Sequence, residues 1–526
     1  MKRKLFVMFA ISALLCVPFL LAACTPTTTP PPPSSVENGS LSPSSCEHEE
    51  VIEPAVEASC YLPGKTEGVY CKKCGEILVA QHVLSPQHHW VDGACVDCKT
   101  PYFSEGLAYR LETDGYYVTG TGSCTDQDLV IPAEHKGRAV VGIAKSAFSY
   151  KTNLRSVTFP DSLVVIEDSA FHFSTNIKKI TFGKGLKKLG YQVFWMDQIE
   201  SVYISDLVSW CAIECDTTCS MQFYGECSLY LNGEPVTNLV IPEGVSYIRP
   251  CAFSGFTNIK NVTLPESMQE LGENAFAQCA SLEQINLPDS ITKINSDAFS
   301  GCRSLKKISL PSKITCLSMG VLSGCTALET VTIPENVNRI EQQAFLGCTS
   351  LKNVVFNDKV TSIGKEAFRQ CTSLVHFTVP NSVSGIGFGA FSECTSIKSL
   401  TIPFVGAKKI EYSEYDYLCY LFGGDVNVSN RYKLPESLKV VSITDTTKIA
   451  SQAFIRSKYI EQVILCEKIQ TIGEKAFEDC LNLTDIWLEH KELPAEWIES
   501  NAFGNCTATI HLGDTWEYVD GVPTKK

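Results

Sequence analysis

The chain has 526 residues, 44% of them hydrophobic and 19% charged, and a formal net charge of −14. That acidity argues against nucleic acid as a partner, because a phosphate-binding face needs a surplus of Lys and Arg. Twenty-five cysteines would suit a disulfide-rich protein, but their positions divide them into two sets of different meaning.

Residues 1–23 read as a targeting segment. Lys2, Arg3 and Lys4 precede an apolar run from Leu5 to Leu21 that is short for a membrane span. Leu21-Ala22-Ala23-Cys24 resembles a bacterial lipobox, which implies cleavage before Cys24, acylation of its sulfur and a membrane anchor on the extracellular side. An ordinary secretory signal cut nearby, or an uncleaved anchor, is the alternative. Residues 24–45 are a Pro/Thr/Ser-rich tether with nothing to bury, biased to extended polyproline II.

Residues 46–103 form a separate Cys/His-rich module. Cys71-x-x-Cys74 and Cys95-x-x-Cys98 are separated by twenty residues, close to the spacing of a four-cysteine zinc ribbon. A structural zinc held by Cys71, Cys74, Cys95 and Cys98 would replace a core that so short a segment can barely build. Cys46, His48, Cys60 and one of His82, His88 or His89 offer a second set, with His89 the choice. Three disulfides in an exported protein remain the alternative, since six cysteines is an even count. The module also resembles short cysteine-rich repeats found beside solenoids in bacterial surface proteins.

Residues 104–147 read as an N-terminal cap. Leu107, Tyr109 and Leu111 face Tyr116 to Val118 across Asp114-Gly115, a strong hairpin signal. From Phe148 to residue 510 one 23-residue unit recurs. Phe276, Phe299, Leu322, Phe345, Phe368 and Phe391 stand 23 apart, each followed three residues later by a cysteine from Cys279 to Cys394. Alternating apolar positions such as Leu282, Ile285 and Leu287 lead into a proline and then the small-then-aromatic pair Ala298-Phe299. A period of this size with an L-x-x-L-x-L core predicts a leucine-rich-repeat solenoid, rich in short strands and turns, because one coil cannot fold without neighbours to cover its faces. The repeated cysteine reads as a small apolar member of a buried ladder, ahead of a row of thiol metal ligands.

The step lengthens to 59 residues between Phe194 and Phe253 and to 63 between Phe391 and Phe454, which places inserts near 195–238 and 404–438 and leaves thirteen units counted from Phe148 to Phe503. Residues 511–526 read as a C-terminal cap and tail. Val331-Thr332-Ile333-Pro334, Val360-Thr361-Ser362-Ile363-Gly364 and Ala344-Phe345-Leu346-Gly347-Cys348 resemble the BspA-like class of bacterial leucine-rich repeats. Leu322 in place of Phe and Phe256 in place of Cys are departures that a core tolerates. The resemblance implies a bacterial cell-surface protein that binds host matrix proteins, other bacteria or glycans, and it implies no particular ligand.

Catalytic motifs are missing from the sequence: there is no G-x-S-x-G, H-E-x-x-H, phosphate loop or dinucleotide fingerprint. The reading is a binding protein and no enzyme; a purely structural spacer, or a hydrolase with acids meeting across an insert, stands behind it. Two surfaces compete for the contact. The first is the lane of outward strand positions: Ser156, Thr158, Lys179, Thr181, Asn261, Thr263, Lys307, Ser309, Thr330, Thr332, His376, Thr378, Ser399 and Thr401. The second is the cluster Tyr412, Tyr415, Tyr417, Tyr420 and Phe422 of the second insert, where aromatics either make a contact hot spot or pack the insert onto its own coils.

Overall fold

The computed structural model of the chain describes residues 47–59, 63–84, 88, 90–91, 94–97, 101–194, 198–215, 226–409, 416–425, 433–513, 516–519 and 522–525. Residues 1–46, with the targeting segment, Cys24, the tether and Cys46, lie outside this set, as do Cys60, His89, Cys98, Tyr412 and Tyr415. The chain divides into two compact units, Met1–Pro101 and Tyr102–Lys526. No helix among the described residues is long and apolar enough to cross a membrane.

A strand that recurs every 23 residues can pair in parallel with its own copy, and the larger unit is built on that pairing. Asn261–Thr263 lies beside Gln284–Ile285, with Val262 next to Ile285. Further along the same coils Glu270–Leu271 lies beside Lys293–Ile294. A regular coil therefore contributes to two ladders, the first built from strands like Thr330–Thr332 and the second from strands like Arg339–Ile340. The proline after the first strand, as in Ile333-Pro334, lacks the N–H that would continue the ladder and ends it within a few residues. The third side of the coil is a turn centred on the repeated Phe.

That turn has a repeated backbone signature. Residues two before and two after each ladder Phe are left-handed: Asn274 (φ 54°) and Gln278 (φ 58°) flank Phe276, and Gly320 (φ 60°) and Gly324 (φ 70°) flank Leu322. A side chain in this region costs roughly 1–2 kcal/mol, which glycine escapes. The strain is offset because the turn aims backbone N–H groups along the stack: Phe276 N–H donates to Ala298 O at 2.9 Å and Phe345 N–H to Ala367 O at 2.8 Å. The rings then lie in register, Phe345 on Phe368 at 5.2 Å and 6° and Phe454 on Phe477 at 5.0 Å and 9°. Leu322 and Phe256 are fully buried.

The cysteine three residues on does more than fill space. The Cys279 thiol donates to Phe253 O at 3.1 Å, Cys302 to Phe276 O at 3.2 Å and Cys325 to Phe299 O at 3.3 Å, each reaching one coil back. In the unit of Phe171 a hydroxyl takes the role: Ser174 Oγ donates to Phe148 O at 2.6 Å. Burial pushes these thiols up to about 12 at Cys279, Cys325 and Cys394, so they stay protonated donors.

The solenoid has about 16 turns, more than the thirteen counted from phenylalanines, because each insert closes a coil of its own and Asp128–Val130 of the cap already pairs in parallel with Ser156–Thr158. In the first, the helix α1 (Leu207–Ala212) carries Trp210, whose indole N–H donates to Ala252 O at 2.9 Å, the carbonyl that a ladder Phe N–H would otherwise reach. In the second, the short helix α2 (Leu418–Leu421) brings Leu421 O to Phe391 N–H at 2.8 Å, and Phe422 meets the Phe391 ring at 6.3 Å. The cap hairpin pairs Ala108–Leu111 with Tyr116–Gly120, Leu111 opposite Tyr116, and seats Val118 in the core. At the other end Thr509–Leu512 joins Asp485–Leu488 in parallel, so His511 belongs to the last ladder strand and stacks on Trp487 at 3.8 Å.

The smaller unit is built on an antiparallel sheet. Glu50–Glu53 pairs with Gly68–Cys71, Glu50 opposite Cys71, and Gly68–Cys71 pairs with Ile77–Val79. Between the latter strands the chain turns through Cys71 to Gly75, whose positive φ of 74° lets its N–H return to Cys71 O at 2.8 Å.

Candidate binding surfaces

Strand alternation sends the first-ladder residues flanking each buried Val or Ile outward, and from Ser156 to Thr378 the predicted lane is open or half-open. Its positions form short side-chain ladders. Ser156 Oγ donates to Asp128 Oδ1 at 2.7 Å, and Asn261 Nδ2 donates to Asn238 Oδ1 at 2.6 Å. Two features stand out from this hydroxyl-rich background. Tyr203 and Tyr230, on adjacent strands, stack at 4.4 Å and 10°, with Lys179 Nζ 4.5 Å from the Tyr203 ring. The coil at Lys307–Ser309 lacks a first-ladder strand, and there the lane widens into a groove of about 840 Å³ whose lining includes Arg303, Lys306 and Lys307 against the single acid Glu283. Tyr203 and Tyr230 both lie inside the first insert, off the 23-residue register, so the period does not align them; the recurring Val202-Tyr203 and Leu229-Tyr230 pattern is the signal that does.

Ser399 and Thr401 correct the predicted lane. Both are buried, at 4% and 2% exposure, as are Ser442 and Ile464 on the next two strands. Strands covered on both faces read as continuous apolar runs, and Val463-Ile464-Leu465 is one. Ser399-Leu400-Thr401-Ile402 keeps two hydroxyls and imitates an alternating, half-exposed strand. The lane therefore closes over the coils that flank the second insert.

The aromatic cluster is corrected too. Phe422 (2% exposed) and Tyr417 (5%) are buried, and Tyr420 is half-buried with its ring 5.3 Å from Phe388. Phe422 continues the ladder of rings, so its burial takes it out of any contact surface. Beside the insert is a cleft of about 340 Å³ whose walls include Phe404, Lys408, Lys409, Asp445, Lys448 and Lys468. Asp445 accepts from Lys409 and, at 2.7 Å, from Lys468. Burial would raise its carboxyl, but these two lysines outweigh it and hold the group below its ordinary range.

In the smaller unit the ligand atoms of His48, Cys71 and Cys74 all lie within 4.8 Å of one another. Cys95 is not in that group among the described residues and Cys98 lies outside them; His48, assigned to the second predicted set, stands beside the Cys71-x-x-Cys74 turn of the first. The cause is strand pairing, which sets Glu50 opposite Cys71 and so brings His48 alongside. His48 Nδ1 is 3.5 Å from Cys74 Sγ, and its Nε2 is 3.6 Å from Glu76, an imidazole oriented by a carboxylate as metal-bound histidines are. At Cys71 burial raises the thiol, yet hydrogen bonds from the Cys74 backbone, the His48 ring, the Cys74 thiol and the Lys73 backbone bring it down to about 5.

Residues 139–223, 226–352, 339–421 and 429–514 match the family described as BspA type Leucine rich repeat region, in six copies. No curated protein matches the chain. Among solved structures, a leucine-rich repeat protein from Bacteroides ovatus is 20% identical over 77% of this chain and 92% of its own, with a TM-score of 0.43. A leucine rich cell surface protein from Faecalibacterium prausnitzii is 23% identical over 78% of this chain and 100% of its own, at 0.40. The pneumococcal vaccine antigen PcpA is 17% identical over 78% and 98%, at 0.43.

Proposed function

This chain belongs to the BspA-type leucine-rich-repeat family, and on that premise we propose that it is a cell-surface binding protein, anchored through lipid on Cys24, that holds a protein or glycan ligand of a host or neighbouring cell. The observation that carries the reading is the open lane from Ser156 to Thr378. It is long, solvent-facing and fixed by coil-to-coil pairing, and it holds a stacked tyrosine pair and a basic groove. Solenoids bind through such extended faces, and a rigid aromatic pair supplies contact area at low entropy cost. The acidic remainder of the surface leaves Lys179, Arg303, Lys306 and Lys307 as local positive relief, which favours an acidic partner face and gives no hold on nucleic acid.

The smaller unit is assigned a structural zinc. Two thiols, one already biased to thiolate, and a carboxylate-oriented imidazole fit that soft tetrahedral ion, with one ligand position left over. The metal would tie the Cys71–Gly75 turn to the strand that follows His48.

The test of the lane is binding of the full chain to immobilised matrix proteins, mucin and bacterial cells. Replacing Tyr203 and Tyr230 together by Ala is expected to weaken the captured interaction at least roughly tenfold, the loss of one hot-spot residue or more. Unchanged binding in a folded double variant removes the lane as the contact. Absence of any target among the three classes favours a spacer.

A further inference from the structure

We propose that the seam in the lane at Lys307–Ser309 takes an extended acidic segment of a partner protein, added to the solenoid as a strand. The proposal rests on the reading of the open lane as the binding surface and names the chemistry that this part of it selects. The seam arises where the first ladder skips a coil. Gln284–Ile285 ends one sheet, pairing back with Asn261–Thr263, and Thr330–Thr332 begins the next, pairing with Asn353–Val355. The second ladder stops at the same junction: Lys293–Ile294 ends its sheet and Cys316–Leu317 starts another. The phenylalanine turn runs through unbroken, with Asp297 N–H donating to Met319 O at 2.8 Å and Phe299 N–H to Val321 O at 3.0 Å. The coil is therefore held at its turn and open at its strands.

Three consequences define the ligand. First, backbone groups of both kinds are left over. In regular coils Lys352 N–H donates to Glu329 O and Ile333 N–H to Val355 O, both at 2.8 Å. Among the described residues the N–H groups from Lys306 to Leu310 make no hydrogen bond, and of the carbonyls in that stretch only Lys306 O accepts one, from Glu329 N–H at 3.3 Å. Second, core side chains show at the opening. Ile285 and Leu310 are half-buried, whereas their counterparts one coil away, Val262 and Ile333, are only 3% and 2% exposed. Third, the rim is cationic. Arg303, Lys306 and Lys307 are exposed, and among the described residues none of their side chains is in an ion pair. Residues 23 apart stand side by side in the stack. Arg303 lies between Ala280 and Thr326, and Lys307 between Gln284 and Thr330, so neither column supplies an acid. Lys306 has Glu283 and Glu329 in its column, but Glu329 is paired with Lys352 at 3.2 Å. Glu283 is left as the single acid of the groove against three cations.

These features fit an extended peptide better than a sulfated glycan. A glycan would use the cations and leave the carbonyls and Ile285 uncovered. A strand uses all three: its main chain pairs with the unpaired edge, and its side chains alternate between the apolar floor and the cationic rim. The groove volume of about 840 Å³ is at the upper end of ligand sites and holds a short peptide.

The experiment measures binding of three probes to the full chain: a blocked peptide of alternating Glu and Val, its Lys and Val counterpart, and a heparin hexasaccharide. Hydrogen exchange is followed across residues 306–310. The acidic peptide is expected to bind at least roughly tenfold more tightly than the basic one and to slow exchange at Lys307 and Ser309. Methylating every other backbone nitrogen of the acidic peptide is expected to weaken it at least roughly tenfold, because strand addition needs its N–H groups. Arg303→Gln with Lys307→Gln is expected to remove the preference for the acidic peptide. Equal binding of the two peptides, unchanged binding of the methylated one, or protection of residues 306–310 by heparin alone overturns the assignment. The methylated peptide and the wild-type exchange need no variant protein, so misfolding of the double variant does not blunt the test. Capture of a surface target by a chain that binds no acidic peptide overturns the seam and leaves the lane reading standing. Slowed exchange with no target captured leaves the seam standing and overturns that reading.

Discussion

The two compact units use the same residue for opposite purposes. In the solenoid, cysteine is a buried neutral donor: the Cys325 thiol is pushed up to about 12 by burial and donates a hydrogen bond to the Phe299 carbonyl at 3.3 Å. In the smaller unit burial also raises the Cys71 thiol, yet it is brought down to about 5 because the Cys74 and Lys73 backbone, His48 and Cys74 hydrogen-bond to the sulfur. Burial alone therefore does not set the chemistry of a thiol. At Cys325 burial is opposed by a single backbone hydrogen bond, whereas at Cys71 the hydrogen bonds from Cys74, His48 and Lys73 outweigh it. Stacked coils offer carbonyls at fixed spacing, and a tight turn offers amides.

The largest effect is expected when a ladder thiol is forced to carry charge. Cys325→Asp should destabilise the solenoid by roughly 3–5 kcal/mol in thermal or denaturant unfolding, because an unpaired carboxyl replaces a neutral donor between coils. Cys325→Ala should cost about 1 kcal/mol, since Phe299 O keeps the Cys302 N–H at 3.2 Å. Equal small losses would mean that the position is wet, and the contrast with Cys71 would collapse.

The next test sharpens the other side. With a folded value near 5 against 9.0 for an ordinary thiol, Cys71 favours folding fully above about pH 9, and this contribution fades as pH falls towards 5. The Cys71 side-chain carbon resonance should therefore titrate near pH 5 in the metal-free chain, while those of Cys279 and Cys325 stay flat through neutral pH. Metal analysis of the chain purified without reductant should find zinc that is lost on Cys71→Ser or His48→Ala. Disulfide-linked Cys71 and no metal would sink the zinc assignment.

The smallest effect probes the donor rule itself. Ser174→Cys should shift stability by less than about 1 kcal/mol, because thiol and hydroxyl both donate to the Phe148 carbonyl. A loss of several kcal/mol would show that this unit demands the shorter 2.6 Å contact, and that ladder cysteine is chosen for size alone.

Repetition by itself determined the solenoid. A period of 23 residues, alternating apolar strands, a proline stop and a phenylalanine turn are local patterns, and repeating them leaves parallel stacking as the way to cover both faces of every coil. The Asp114-Gly115 hairpin was legible from a local pattern too, and so was the outward lane from Ser156 to Thr378. Tertiary structure decided whatever depends on residues far apart in an irregular stretch. Trp210 and Phe422 hold ladder positions only because α1 and α2 carry them back to the stack. Ser399 and Thr401 are buried although their strand alternates like an exposed one. His48 meets Cys71 through a strand pairing that cysteine spacing does not encode. Periodicity specifies contacts between equivalent residues; where the period breaks, which side chains meet depends on how the chain returns to its register.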